Sequence, residues 1–311
     1  MRIARTPAEL AAARAGLGDA VGLVPTMGAL HDGHLSLVAA ARRECGSVAA
    51  SIFVNPLQFA PGEDLSRYPR DEAGDLDKLR AAGCALAWLP DVAAMYPPGD
   101  ATEIVPAGPA LGWEGMQRPG HFRGVATVVA KLFGQVRPQR AYFGEKDWQQ
   151  LQVVRRVTAD LLLPVEVVGV ATRRDPDGLA MSSRNRFLSE AERATAPLLP
   201  RALREAAASI VALARDQAPR LAAPDTDGIE PAGARLAPSP ARSRDVEAVL
   251  GGAMEALARS GFGVDYLALV EADSLLEVRD LAAPHARGLR LIVAARLGTV
   301  RLLDNLDVPA A

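Results

Sequence analysis

His31 and His34 stand three residues apart in the string Val24-Pro25-Thr26-Met27-Gly28-Ala29-Leu30-His31-Asp32-Gly33-His34. One helical turn brings two rings at that spacing to the same side. Gly33 between them has no Cβ, so a ligand can approach the backbone closely. A short strand-like run, Val21–Val24, precedes the string, and a helical pattern near His34–Arg43 follows it. Open α/β sheets bind nucleotides at such carboxyl ends of strands. A helix N-terminus there offers unpaired N–H groups and a positive dipole to phosphate. A lone histidine is more often an ordinary loop residue. Here two of the chain's four histidines share one turn, which favours function. A zinc reading needs a third ligand, and His121 is the candidate. No acid or cysteine ligand pattern accompanies it, so zinc is the weaker idea.

Three further stretches carry polar groups at element ends. Ser51–Phe59 closes a strand with two amides, Asn55 and Gln58, able to bond a hydroxyl and a carboxylate without adding charge. Asn-Pro is common turn chemistry, so Gln58 is the more suggestive of the two. Arg118, His121 and Arg123 sit close to a helix start, a pattern suited to clamping a carboxylate or phosphate. In Phe143-Gly144-Glu145-Lys146-Asp147-Trp148-Gln149-Gln150, a strand ends and a helix begins. Lys146 at that helix start suits a polyphosphate, and Gln150 follows one turn later. Asp147 suits either a helix cap or a ribose contact. A last stretch, Asp177-Gly178-Leu179-Ala180-Met181-Ser182-Ser183-Arg184-Asn185-Arg186, combines hydroxyls with guanidinium groups, a set suited to pyrophosphate.

The elements that must position these groups follow from periodicity. Strand-like runs at Val21–Val24, Val48–Val54, Ala85–Leu89, Ala141–Phe143 and Val165–Val170 alternate with helical patterns at 34–43, 71–82, 123–136 and 147–162. This order predicts a Rossmann-like parallel sheet with helices on both faces over 1–175. Residues 176–311 read as a smaller α+β domain acting as a lid. A capping box at Ser189 and Glu192 opens one long Ala-rich helix, and a second helix spans 245–259. Strands follow at 264–270, 289–295 and 299–303. Residues 217–243, rich in Pro, Ala and Gly, read as a flexible insertion whose deletion leaves activity intact.

Composition narrows the class. The 311 residues carry a formal charge of -2, which gives no sign of a nucleic-acid or anionic-membrane partner. Cys45 and Cys84, distant and without ligand spacing, predict free thiols and a reducing cytoplasm. The first ten residues lack an apolar signal region, and no apolar run approaches a membrane span, so a soluble, unexported chain is expected.

His31-Asp32-Gly33-His34 resembles the HxGH signature of the nucleotidyltransferase superfamily. The longer strings Val24–Val38, Val54–Phe59, Phe143–Gln150 and Asp177–Asn185 resemble the pantothenate synthetase family specifically, and the likeness covers nearly the whole chain. The resemblance implies an ATP-dependent ligase that activates pantoate as an acyl-adenylate and joins it to β-alanine. It implies Mg²⁺ with ATP, and a homodimer formed through the first domain. ATP-binding roles carry over to Pro25, Thr26, Met27, His31, Gly33, His34, Gly144, Lys146, Asp147, Arg173, Met181, Ser182, Ser183 and Arg184. Pantoate or β-alanine roles carry over to Gln58, Gln150, Asn55, Arg118 and His121. Catalysis is expected from His34 as proton donor, with His31, Lys146 and Arg184. Asp75 is expected at most as a water-mediated contact, and Tyr68 as a residue able to close over the acid. Two rivals remain: a nucleotidylyltransferase moving AMP onto a phosphate, and a non-catalytic nucleotide sensor.

Overall fold

The computed structural model describes residues 1–59, 64–221, 240–281 and 288–309. The chain divides into two compact units, one of Met1–Asp175 with Ala180–Ser183, the other of Pro176–Leu179 with Arg184–Ala311.

In the first unit β1 (Arg2–Ala4) leads through α1 (Pro7–Ala15) to β2 (Val21–Thr26). Then come α2 (Asp32–Glu44), β3 (Ser47–Ile52), α3 (Glu72–Ala81), β4 (Leu86–Trp88), and the short helices α4 (Val92–Met95) and α5 (Trp113–Gln117). The unit is completed by α6 (His121–Val136), β5 (Arg140–Gly144), α7 (Trp148–Asp160) and β6 (Glu166–Val170). The strands form one parallel sheet in the order β1-β4-β3-β2-β5-β6. Val24, Val38, Val48, Ala50, Leu79 and Tyr142 are buried in one core, consistent with strands covered on both faces.

The order decides where a ligand can sit. After β2 the chain builds outward through β3 and β4, then crosses to the other side of β2 to lay down β5 and β6. The sheet therefore reverses between β2 and β5, which pair at Gly22–Arg140 and Leu23–Ala141. Loops leaving neighbouring strands at such a switch point diverge and leave a crevice. The two loops are 27–31 and 145–147, both singled out in the sequence.

The second unit holds α8 (Glu190–Thr195), α9 (Leu198–Leu221), α10 (Pro240–Arg259), β7 (Phe262–Glu271), β8 (Leu289–Leu297) and β9 (Val300–Val308). The three strands form an antiparallel sheet, with Leu199, Leu203, Ile210, Leu269, Leu291 and Val293 in the core. The Ser189–Glu192 capping box is present.

Several sequence expectations change. The long helix after Ser189 is two helices, because Pro197 lies between α8 and α9 and has no N–H to donate to the helical ladder. The last strand runs to Val308, well past Leu303. β1 and α1 were not foreseen; α1 starts on a Thr6–Glu9 capping box. Of the expected insertion at 217–243, residues 222–239 lie outside the described set, and its two ends are helical in α9 and α10. Cys45 and Cys84 are free thiols, and burial pushes the Cys84 thiol up to about 11. No helix among the described residues is long and apolar enough to cross a membrane.

Candidate active site

The turn between β2 and α2 is built to aim two imidazoles. Gly28 and Ala29 both have positive φ, +82° and +51°. Glycine adopts that region readily, but alanine pays a strain cost, so something must hold the turn. Asp75, 1 % exposed on α3, does so: its two carboxylate oxygens accept from the N–H groups of Ala29 and Leu30, each at 2.7 Å. Lys78 donates to the Leu30 carbonyl at 2.9 Å and stands 3.9 Å from Asp75. Asp75 is thus a main-chain clamp, with both oxygens engaged by the protein. The clamp was missed because its partners are backbone amides, which leave no trace in a sequence.

His31 is the N-cap of α2, and its Nδ1 accepts from the Gly33 N–H at 3.1 Å. His34 Nδ1 accepts in turn from the His31 N–H at 3.4 Å. A backbone N–H can only donate, so both Nδ1 atoms are acceptors and each neutral ring carries its proton on Nε2. The ring centroids are 4.2 Å apart. A Cβ at Gly33 would stand 2.8–2.9 Å from the His31 ring, so the neighbouring histidine itself requires the glycine.

The His34 pKa is pulled down to about 3, first by desolvation, then by its electrostatic coupling to His31, with Lys146 and Lys78 adding to it and Asp147 opposing. Its ring is therefore neutral at physiological pH. In that state His34 offers an Nε2–H as a hydrogen-bond donor. The same field brings the β2 and β5 loops together, since Lys146 and Asp147, 3.3 Å apart, follow β5. Gly144 is half-buried and ends β5. Gln150 lies in the first turn of α7. Pro25 and Thr26 end β2; the Thr26 hydroxyl donates to the Ser51 carbonyl and accepts from the Gly28 N–H.

The hydroxyl loop reaches the same place. The Met181 Cβ is 3.8 Å from where a Gly33 Cβ would stand. The Met181 N–H donates to the Arg173 carbonyl at 3.0 Å, so Arg173 contributes its main chain to the loop's shape while the residue is otherwise exposed. Met181, Ser182 and Ser183 belong to the first unit; Arg184 belongs to the second.

Gln58 is restrained at both ends of its side-chain amide and at its main-chain carbonyl. Its Nε2 donates to Met27 Sδ at 2.9 Å and its Oε1 accepts from Asn55 Nδ2 at 3.2 Å. Its carbonyl accepts from His121 Nδ1 at 2.9 Å and from Arg118 Nη2 at 3.3 Å. Arg118 Nη1 lies 3.1 Å from His121 Nε2, which must accept because Nδ1 donates. Behind this turn, a Cβ on Gly124 of α6 would collide with the Leu57 carbonyl oxygen and stand 2.7 Å from the Gln58 nitrogen. Only glycine lets the helix approach the turn this closely. Asn55 is 1 % exposed and fully engaged: Oδ1 accepts from Tyr96 and the Leu57 N–H, and Nδ2 donates to Gln58 and the Gly124 carbonyl. The Asn55 amide thereby links Tyr96 and α6 to Gln58. Tyr68 is buried and meets Phe59 edge-on at 6.0 Å.

The arrangement offers neutral and cationic donors beside a restrained amide. It is suited to polyphosphate and a small polar acid. Among the described residues no group of three His, Cys, Asp or Glu could hold a metal ion, which leaves the zinc reading without support.

Comparison with known proteins agrees in direction. Residues 2–307 match the family described as Pantoate-beta-alanine ligase. The chain is 57 % identical over 289 residues to the pantothenate synthetase of Granulibacter bethesdensis, covering 93 % of this chain and 90 % of that one. It is 55 % identical to that of Acidiphilium cryptum, covering 99 % and 100 %. The crystal structure of pantothenate synthetase from Thermus thermophilus superposes with a TM-score of 0.80 at 49 % identity, covering 99 % of both chains. A Francisella tularensis pantoate-beta-alanine ligase, complexed with Beta-gamma ATP and Beta-alanine, gives 0.74 at 28 %, covering 100 % and 99 %. By the family match across almost its whole length and by these identities, the chain belongs to the pantoate-beta-alanine ligase family.

Proposed function

We propose that this chain performs its family's ATP-dependent ligation in two steps within the crevice between β2 and β5. A pantoate carboxylate oxygen attacks the α-phosphorus of ATP, the bond to the bridging oxygen breaks, and pyrophosphate leaves. The amine of β-alanine then attacks the acyl carbon, and AMP departs with the oxygen that joined it to pantoate.

A carboxylate is a poor electrophile, and the adenylate gives it a good leaving group. Negative charge develops on the transferring phosphoryl group and on pyrophosphate, so fixed donors do most of the work. The observation that carries the reading is the paired Nδ1 bonding of His31 and His34. It fixes both Nε2–H donors without help from a ligand. Lys146 and Arg184 hold the β- and γ-phosphates. Ser182, Ser183 and the Met181 main chain cradle the same groups, and Asp147 and Gly144 take the ribose side. Gln58 and Gln150 orient pantoate, while Asn55, Arg118 and His121 act by holding Gln58.

The nucleotide enters as its divalent-metal complex, Mg²⁺ in this proposal. The donor set fits a metal carried on phosphate oxygens and water, since the site's side chains mostly donate. The metal supplies charge neutralisation. The smaller unit acts as the lid that keeps water from the adenylate. A homodimeric assembly and a cytoplasmic location complete the proposal; the unpaired thiols suit the latter.

Supplying ATP, Mg²⁺ and pantoate without β-alanine tests the reading. Enzyme-bound pantoyl-adenylate and one equivalent of pyrophosphate are expected. The absence of both would remove it, and transfer of AMP to a phosphate acceptor would favour the nucleotidylyltransferase instead.

A further inference from the structure

Tyr96 lies far from the histidine turn in sequence, at the C-terminal end of α4. Its hydroxyl meets Asn55 Oδ1 at 2.8 Å. The polarity of this contact can be worked out from its neighbours. The Leu57 N–H, which can only donate, also points at that Asn55 atom, so the atom is the oxygen. Tyr96 must therefore donate. Asn55 Nδ2 faces the Gly124 carbonyl, which only accepts, and its second proton goes to Gln58. The Gln58 atom it meets must then be Oε1, which turns Nε2 toward Met27 on the β2 loop. Each step leaves one orientation for the next amide.

We propose that Tyr96 is a positioning residue for pantoate, its hydroxyl fixing the Asn55 amide and, through it, the direction in which Gln58 presents its Nε2–H. The inference rests on the reading of Gln58 as a pantoate ligand. Without the Tyr96 proton, Asn55 Oδ1 loses one of its two donors. The Asn55 amide is then less strongly tied to one orientation, and so is the Gln58 amide behind it.

Two features keep the hydroxyl in this role. Burial and the nearby Asp100 raise the phenol above its ordinary pKa, so it stays protonated and a donor across the working range. The ring is held by Phe53, 6.2 Å away between centroids, and by Lys131, whose Nζ stands 5.0 Å over it and pairs with Asp100 at 2.6 Å. Tyr96→Phe therefore deletes the hydrogen bond and keeps the packing. Lys131→Met disturbs the packing and keeps the hydrogen bond.

Pantoate binding to the full chain, measured by calorimetry with a non-hydrolysable ATP analogue present, separates the outcomes. Gln58→Ala is expected to weaken pantoate by about tenfold or more, and Tyr96→Phe by about five- to tenfold, the scale of one lost hydrogen bond. Tyr96→Phe should leave analogue affinity within about twofold, and the double variant should match Gln58→Ala alone, because residues acting through one another are not additive. Unchanged binding in Gln58→Ala would overturn the Gln58 reading and this inference with it. If Gln58→Ala weakens pantoate but Tyr96→Phe does not, only the Tyr96 role falls. It falls too if Tyr96→Phe costs the same factor in the Gln58→Ala background, or if Lys131→Met weakens pantoate equally.

Discussion

His34 Nδ1 faces the main-chain N–H of His31 at 3.4 Å, while the His31 ring accepts from Gly33 at 3.1 Å, so the two histidines together cap the start of α2 and each keeps its Nε2–H as a donor. Capping pairs of this kind normally use Ser or Thr with Glu or Gln. Here the cap and the candidate catalytic donors are the same side chains. Orientation therefore comes from the fold, before any nucleotide binds.

His34→Ala should slow pantoate adenylation by roughly 10²- to 10³-fold, the usual effect of deleting one fixed transition-state donor. His34 should stay neutral through the physiological range because its pKa is lowered to about 3. The sign for stability follows: between pH 6.5 and about 3 the unfolded chain binds a proton that the folded site refuses. The fold thus loses stability as pH falls through that window and gains nothing more above it. Ring-carbon NMR of His34 should show no titration from pH 8 to 5. A midpoint near 6.5 would contradict the buried neutral ring.

Gly124→Ala tests the backbone contact behind Gln58. The new methyl would press on the Leu57 carbonyl and the Gln58 nitrogen, so main chain must shift. A stability loss of about 1–3 kcal/mol is expected, with weaker pantoate binding and little change for ATP. Wild-type unfolding and binding in this variant would show that α6 does not constrain the turn.

Asp75→Asn keeps the shape but puts an NH₂ against one of two backbone donors, Ala29 or Leu30. One buried N–H loses its acceptor, a cost of about 1–3 kcal/mol. The strained Gly28–Ala29 turn should loosen, so adenylation should slow by more than binding of pantoate weakens. Rates and unfolding midpoints both equal to wild type would remove the clamp from the account.

Much of this site was readable in the sequence because its chemistry sits at strand ends that periodicity locates. The β2 and β5 loops, the His pair, Lys146 and Gln58 all fall in strings whose residue types declare a use. The parallel sheet was equally legible, since runs such as Val48–Ile52 are apolar but for Ser51 and are buried on both faces. The supporting groups were not. Asp75 acts on backbone amides, Tyr96 acts through another side chain, and Gly124 matters only because another chain segment occupies the place of its missing Cβ. None of these relationships has a fixed sequence separation. The break at Pro197 was available to sequence reasoning, but the alanine-rich pattern on both sides masked it.

Isotope transfer tests the central claim most directly. With pantoate carrying ¹⁸O in its carboxylate, complete reaction with ATP and β-alanine should place one ¹⁸O atom in AMP and none in pyrophosphate. Recovery of the label in inorganic phosphate alongside ADP, or AMP without label, would contradict an adenylate formed between the β2 and β5 loops.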